Sequence, residues 1–200
     1  AYKAVDPAYW KGVTVKGKIY AFPINANVFA NNNLAFNPTF VKKYNLDISK
    51  VHSYADATAL LEKVKKGEPN VAGFAIAKDF QPSDKAIELP LASGYPIAID
   101  SSGKDTKVRN LYDLPETQEN LKILHDWYLK GYIPKDVATS TAVYNLQDDT
   151  WFMRQETVGP FDYGGNALKN AAGGKDIQVQ PITDTYKSEA QSQVALWVIS

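Results

Sequence analysis

The sequence predicts an α/β fold, and three observations lead there. Segments with helical spacing alternate with short apolar runs of strand type along the chain. One of those runs, Val71 to Ala77, is apolar and bounded by turn residues, which is the signature of a buried strand. Two hundred residues with 44% hydrophobic content are enough for one ordinary core, and neither an internal repeat nor a low-complexity linker divides them. The elements can then be justified in order.

Residues Ala1 to Val15 carry an aromatic pair, Tyr9-Trp10, in a loop or single helical turn after Pro7. Gly17 marks a turn, and Ile19 to Phe22 is β-branched and aromatic, so a strand is expected. Pro23 has no N–H to give a ladder, and pairing must stop or shift there. Val28 to Ala30 resumes an apolar run. Between the two pieces stand Asn25 and Asn27, on alternate positions; in an extended segment alternate side chains face the same way, so both amides can meet one ligand.

Asn37-Pro38 opens a short helix that ends near Asn45, with proline at the first helical position. Ser53 with Asp56 three residues on is a variant capping box, and Ala57, Leu60, Leu61 and Val64 follow at helical spacing. Gly67 and Pro69 stop that helix. Ile97 to Asp100, a Gly103 turn and Lys107 to Arg109 read as a two-stranded ribbon. Thr117 to Lys130 is a helix with Leu121, Leu124, Trp127 and Tyr128 on one face, ended by Gly131 and Pro134. Thr141 to Phe152 is expected to be helical and Glu156 to Gly159 a short strand. A loop from Pro160 to Gly165, a helix from Asn166 to Ala172, a strand from Ile177 to Pro181 and a last strand from Val194 to Ile199 complete the chain.

Composition removes several functions. Lys and Arg number 22, Asp and Glu also 22, so the basic face that nucleic acid requires is missing. The chain has no cysteine, which excludes disulfides, thiolate catalysis and cysteine metal sites. No apolar run approaches the ~18 residues of a membrane helix. His52 and His125 are the only histidines, and neither has a partner at helical ligand spacing, so no metal site is expected. Nucleophile elbows, phosphate-cradling glycine loops and calcium loops are not found. Asp148-Asp149 is a carboxylate pair, but neighbours in sequence diverge and seldom divide acid and base roles.

The segment Gly159-Pro160-Phe161-Asp162-Tyr163-Gly164-Gly165-Asn166 is different. A strand ends, a turn follows, and aromatic and acidic groups stand just before a helix. In α/β sheets ligands bind at the carboxyl ends of strands. The 12 Tyr, 8 Phe and 4 Trp supply flat faces with polar tips, which suit sugar stacking as well as core edges.

Three segments in order resemble the extracellular solute-binding proteins of ABC sugar importers, of the maltose-binding kind, and more narrowly the lipoprotein type of Gram-positive bacteria. They are Val15-Lys16-Gly17-Lys18-Ile19-Tyr20-Ala21-Phe22-Pro23-Ile24; Asn110-Leu111-Tyr112-Asp113 leading to Lys130-Gly131-Tyr132-Ile133-Pro134; and Trp151-Phe152-Met153-Arg154-Gln155-Glu156-Thr157-Val158-Gly159-Pro160-Phe161. Two positions depart from the pattern: Asn31-Asn32-Asn33-Leu34 lacks the Lys and Asp that usually follow the first segment, and Gln155 replaces a usual Gly.

The resemblance implies a periplasmic-binding-protein-like lobe, with a mixed sheet and helices on both faces. Residues 1–200 would form one domain, the second lobe of two, with hinge-crossing segments near 17–31 and 194–200. It also implies a binding role without catalysis or cofactor, in an extracellular protein anchored as a lipoprotein through a part outside this chain. Its partners would be a sugar or oligosaccharide, the permease transmembrane subunits and the first lobe. The ligand residues expected are Asn25, Asn27 and Asp162 for hydrogen bonds, and Phe161, Tyr163, Tyr95 and Trp151 for stacking. Two readings from other classes stand beside it: a carbohydrate-active hydrolase using Asp148, Asp149 or Asp162, and an adhesin or scaffold domain without a small ligand.

Overall fold

The strand at the centre of the fold is one that propensity disfavours. Asn31–Phe36 begins with three asparagines, yet its second half, Leu34-Ala35-Phe36, is wholly buried. Leu34 and Phe36 point into one core and Ala35 into another, as the two-residue period of a strand requires. Packing against both faces therefore overrides the low β propensity of asparagine. A computed structural model describes residues 7–23, 31–82, 87–88, 96–99, 105–159, 166–183 and 196–197.

The elements run in the order α1 (Pro7–Gly12), β1 (Thr14–Val15), β2 (Lys18–Ile19), β3 (Phe22–Pro23), β4 (Asn31–Phe36), α2 (Pro38–Lys43), α3 (Tyr54–Gly67), β5 (Ala72–Phe74), β6 (Ile87–Glu88), β7 (Ile97–Ile99), β8 (Arg109–Asn110), α4 (Pro115–Leu129), β9 (Trp151–Val158), α5 (Ala167–Ala171), β10 (Gln178–Pro181) and β11 (Leu196–Trp197). The main sheet has the strand order β10-β4-β9-β5. β4 is antiparallel to both β10 and β9, whereas β5 lies parallel to β9, so the sheet is mixed.

The larger core lies between this sheet and α3 and α4. Tyr54, Leu61 and Val64 of α3 meet Leu124 and Trp127 of α4 above Phe36, Phe74, Phe152 and Met153. Burying each of the larger of these side chains contributes roughly 1.5–3 kcal/mol. Phe74 and Trp127 meet edge to face with centroids 5.5 Å apart, and Tyr54 approaches Trp127 the same way at 5.9 Å. The Trp127 indole N–H donates to Thr58 Oγ1 at 3.0 Å, so its polar edge is not stranded. The smaller core, on the opposite face, gathers Ala35, Ala75, Trp151, Ala172 and Ile177, with Leu168 of α5 packed against it. Helices thus cover both faces, as expected.

The helix ends follow local chemistry. Ser53 caps α3: its Oγ accepts from the Asp56 N–H at 3.3 Å and donates to Asp56 Oδ2 at 2.7 Å, while the His52 N–H donates to the same carboxylate at 3.0 Å. Asn37 caps α2, accepting from the Thr39 N–H at 3.1 Å, with Pro38 at the first helical position. Gly131 adopts φ +72° just beyond α4, the left-handed conformation that glycine takes without a Cβ penalty.

Three expectations need correction. Residues 141–150 form no helix; they are loop, and the strand starts at Trp151, earlier and longer than Glu156 to Gly159. The polar stretch Asn145 to Thr150 favours turns, and the Trp151 indole N–H donates to the Asn145 carbonyl at 2.8 Å, which ties the loop down. On α4 the buried stripe is Thr117, Leu124 and Trp127, while Leu121 and Tyr128 stay 38% exposed at its margins. Ile19 to Phe22 is not one strand but two short pieces, β2 and β3. Of the two readings for the stretch after Pro7, the helical one holds: it is the short helix α1. The ribbon of β7 with β8 is present, and β6 adds a third antiparallel strand to it.

Candidate ligand-binding site

Three chain segments meet the main sheet at one end. β4 starts there at Asn31, β9 finishes there with Val158 opposite Asn31, and β10 runs out there beyond Pro181, which faces Asn33. The Ile182 N–H still donates to the Asn32 carbonyl at 3.0 Å, and the Asn32 N–H donates to Thr183 Oγ1 at 3.0 Å. The end of β9 is the carboxyl end of a strand, where ligand sites of α/β sheets form. Asn27 precedes Asn31 by four positions, and Phe161 follows Val158 by three. Asn25, Asn27, Tyr95, Phe161, Asp162 and Tyr163 themselves lie outside the described residues, as does the Val28 to Ala30 run.

Beside Val158, Pro181 and Ile182, this end carries amide and hydroxyl side chains, with one ion pair further along β9. Thr157 Oγ1 donates to Asn32 Oδ1 at 2.9 Å, and Asn31 Nδ2 donates to the Thr183 carbonyl at 3.3 Å. Asn33 is fully buried; its Nδ2 donates to the Asn31 carbonyl at 2.8 Å and its Oδ1 has no hydrogen-bond partner among the described residues. Opposite Asn33, Glu156 pairs with Arg154 Nε at 2.6 Å. Hydroxyls and amides of this kind match the hydrogen-bonding needs of a sugar. These residues were not among the expected site residues. The signal was the run Asn31-Asn32-Asn33 itself, three amides where a strand should hold β-branched or aromatic side chains.

Trp151 does not present a stacking face. Its indole is 0% exposed in the smaller core, with its N–H used by Asn145 and the Arg154 guanidinium 5.7 Å from the ring centroid. Trp151 is a core residue here, because its side chain takes the sheet face that α5 covers.

The aspartate pair is also accounted for by structure. Asn37, itself fully buried, donates through Nδ2 to the Asp148 carbonyl at 3.0 Å, to Asp149 Oδ1 at 3.0 Å and to the Trp151 carbonyl at 3.1 Å. Lys175 Nζ lies 2.6 Å from the same Asp149 oxygen. Burial pushes the Asp149 carboxyl up, but hydrogen bonds from Lys175, Thr39 and Asn37 outweigh it and hold the group below the usual carboxylate range. A general acid needs the opposite shift. His52 and His125 are exposed, and among the described residues no group of three or more His, Cys, Asp or Glu is placed to hold a metal ion. His52 borders a cavity of about 260 Å³ with Ser53, Glu116, Glu119 and Asn120, at the amino ends of α3 and α4. Among the described residues no helix is long and apolar enough to cross a membrane.

Comparison with known proteins fits this arrangement. No family model matches the sequence. The chain is 53% identical over 199 residues to a carbohydrate ABC transporter substrate-binding protein of Streptococcus pneumoniae serotype 4, matching all of this chain and 40% of that protein. It is equally 53% identical to NgtS, an N-glycan transport solute binding protein of Streptococcus pneumoniae, and covers 44% of the crystallised chain with a TM-score of 0.91. Against NgtS in complex with Man5GlcNAc the TM-score is 0.85 over 43% of that chain. The chain therefore spans less than half the length of the relatives it matches. Over all of its own residues the chain is thus similar to part of a protein named as a carbohydrate ABC transporter substrate-binding protein.

Proposed function

We propose that the chain is the second lobe of a substrate-binding protein that captures an oligosaccharide and delivers it to an ABC permease. The observation that carries this reading is the 53% identity, across the whole chain, to a protein crystallised with Man1GlcNAc and with Man5GlcNAc. The ligand class follows from the same relatives: a glycan of mannose and N-acetylglucosamine. A sugar of this kind needs hydrogen bonds to its hydroxyls and flat apolar faces for its rings. Asn25, Asn27 and Asp162 would supply the first, and Phe161, Tyr163 and Tyr95 the second.

The role is binding without turnover. The two lobes would close over the glycan by hinge motion, and the closed form would be what the permease transmembrane subunits recognise. Support for a hinge comes from β3 and β11, which pair antiparallel with Phe22 opposite Trp197 and Pro23 opposite Leu196. Phe22–Pro23 and Leu196–Trp197 thus run side by side, as an outgoing and a returning strand between lobes would. The protein would act outside the cell, held to the membrane as a lipoprotein through a part beyond this chain.

Calorimetric titration of the full-length protein with Man1GlcNAc, Man5GlcNAc, a maltooligosaccharide and a fructooligosaccharide tests the reading. Saturable binding of a mannose-containing glycan, recovered chemically intact, is the expected result. Cleaved glycan after incubation, or no binding across the panel, would overturn it.

A further inference from the structure

One polar side chain stands where the core pattern calls for an apolar one. On β9, Gln155 lies opposite Leu34 of β4, which is fully buried in the larger core, and Met153 two residues earlier is buried there too. Alternate residues of a strand share a face, so the Gln155 amide borders that core. A polar group in such a place costs free energy unless its hydrogen bonds are made. Both ends of this amide are bonded. Gln155 Oε1 accepts from the Tyr54 hydroxyl at 2.6 Å, and Gln155 Nε2 donates to the Gln81 carbonyl at 3.2 Å. With its oxygen taken by a hydroxyl of α3, the amide is oriented and its N–H is turned to the chain beyond β5.

That chain leaves the sheet at the end where β9 finishes. β5 runs parallel to β9, so the carboxyl ends of both strands point the same way, and the Ala75 N–H still donates to the Met153 carbonyl at 2.8 Å. Loops at the carboxyl ends of such strands are where α/β sheets hold ligands. Residues 76–82 are loop, with Lys78, Asp79 and Gln81 exposed on it. Three ties hold this loop. The Lys78 N–H donates to the Ser140 carbonyl at 3.2 Å, and the Phe80 ring meets Phe74 edge to face with centroids 5.4 Å apart. The third tie, from Gln155, comes from β9 itself, the strand that Phe161, Asp162 and Tyr163 follow in sequence.

We propose that Gln155 is a positioning residue of the ligand site. Its amide sets the loop 76–82 against β9, so that the exposed side chains of that loop meet the glycan together with the residues that follow β9. Gln155 itself does not touch the sugar; it acts through Gln81. Lys78 and Asp79 bring to the site the charge-assisted hydrogen bonds that neutral amides and hydroxyls cannot make. The inference rests on the oligosaccharide-binding reading and deepens it.

Two substitutions in the full-length protein separate the two halves of the amide. Gln155→Glu keeps an acceptor for Tyr54 and loses the donor to Gln81, whereas Tyr54→Phe does the reverse. Gln155→Glu is expected to weaken Man5GlcNAc binding at least tenfold in calorimetry. It is also expected to speed amide hydrogen exchange over 76–81 at least tenfold, with exchange in α3 unchanged. Tyr54→Phe is expected to have a smaller effect on both. Wild-type affinity in Gln155→Glu, or weakened binding with exchange over 76–81 unchanged, would overturn the proposal. The unmodified protein covers the case in which Gln155→Glu does not fold: bound Man5GlcNAc is expected to slow exchange over 76–81 at least tenfold, and binding without that protection is the contrary result. The failures differ. Glycan bound with the loop unprotected removes this proposal alone, whereas no glycan bound by the unmodified protein removes the transport reading and this proposal with it.

Discussion

The four-stranded sheet and the ribbon near the start of the chain differ in how their apolar residues are used. In the sheet, Leu34, Phe36, Phe74, Phe152 and Met153 are sealed by α3 and α4, and Ala35 by α5 and the loop before Trp151. In the ribbon of β1 and β2, Val15, Ile19 and Tyr20 lie about half exposed, on both faces. The sheet forms a finished core; the ribbon does not. The lesson is that burial tells two such regions apart where hydrophobicity does not.

Substitutions sharpen that contrast, beginning with the largest effect. Trp127→Ala empties the centre of the larger core and is expected to cost about 3–5 kcal/mol, measured by urea denaturation followed by circular dichroism. Asn37→Ala removes the α2 cap and strips the carbonyls of Asp148 and Trp151 of their donor, for a loss of about 2–4 kcal/mol in the same assay. Gly73→Ala would bring a Cβ within 2.9 Å of the Tyr132 carbonyl, which also accepts from the Phe74 N–H at 2.9 Å, so about 1–3 kcal/mol is expected. In the ribbon the same assay applied to Ile19→Ser in the 200-residue chain should move stability by no more than about 0.5 kcal/mol, since the side chain is already half in water. A ribbon substitution as costly as one in the sheet would break the comparison.

The acid response should also come from the sheet side. Hydrogen bonds from the Ser53 hydroxyl and the His52 N–H hold Asp56 below the usual carboxylate range, and Asp149 is lowered as described. Groups depressed on folding contribute stability above their unfolded pKa and lose it as pH falls through the folded value. Urea midpoints should therefore be flat near neutrality and fall below about pH 4. Asp56→Asn should reduce that fall.

How much of this was legible depended on whether local chemistry alone fixed the element. α3 was, because Ser53, Asp56 and the spacing of Ala57, Leu61 and Val64 agree with one another. The start of β4 was not. Nothing in Asn31-Asn32-Asn33 announces a central strand; the partners β9 and β10, distant in sequence, impose it. Residues 141–150 failed for the opposite reason: Tyr144 and Leu146 pack on the smaller core from a loop, and the polar residues 147–150 favour turns over the mild helical spacing. Trp151 illustrates the limit for sites. A tryptophan at the start of a motif suits a stacking platform or a core equally, and only the sheet register decides between them. The asparagine cluster at the sheet end was missed because amides in a strand read as weakness rather than as a polar rim.

The most direct test of the account is a paired titration with Man5GlcNAc, using the full-length protein and the 200-residue chain under identical conditions. A lobe that supplies half of a cleft predicts saturable binding by the full-length protein and an affinity at least a hundredfold weaker for the chain alone. Equal affinity for the two, or no binding by the full-length protein, would contradict it.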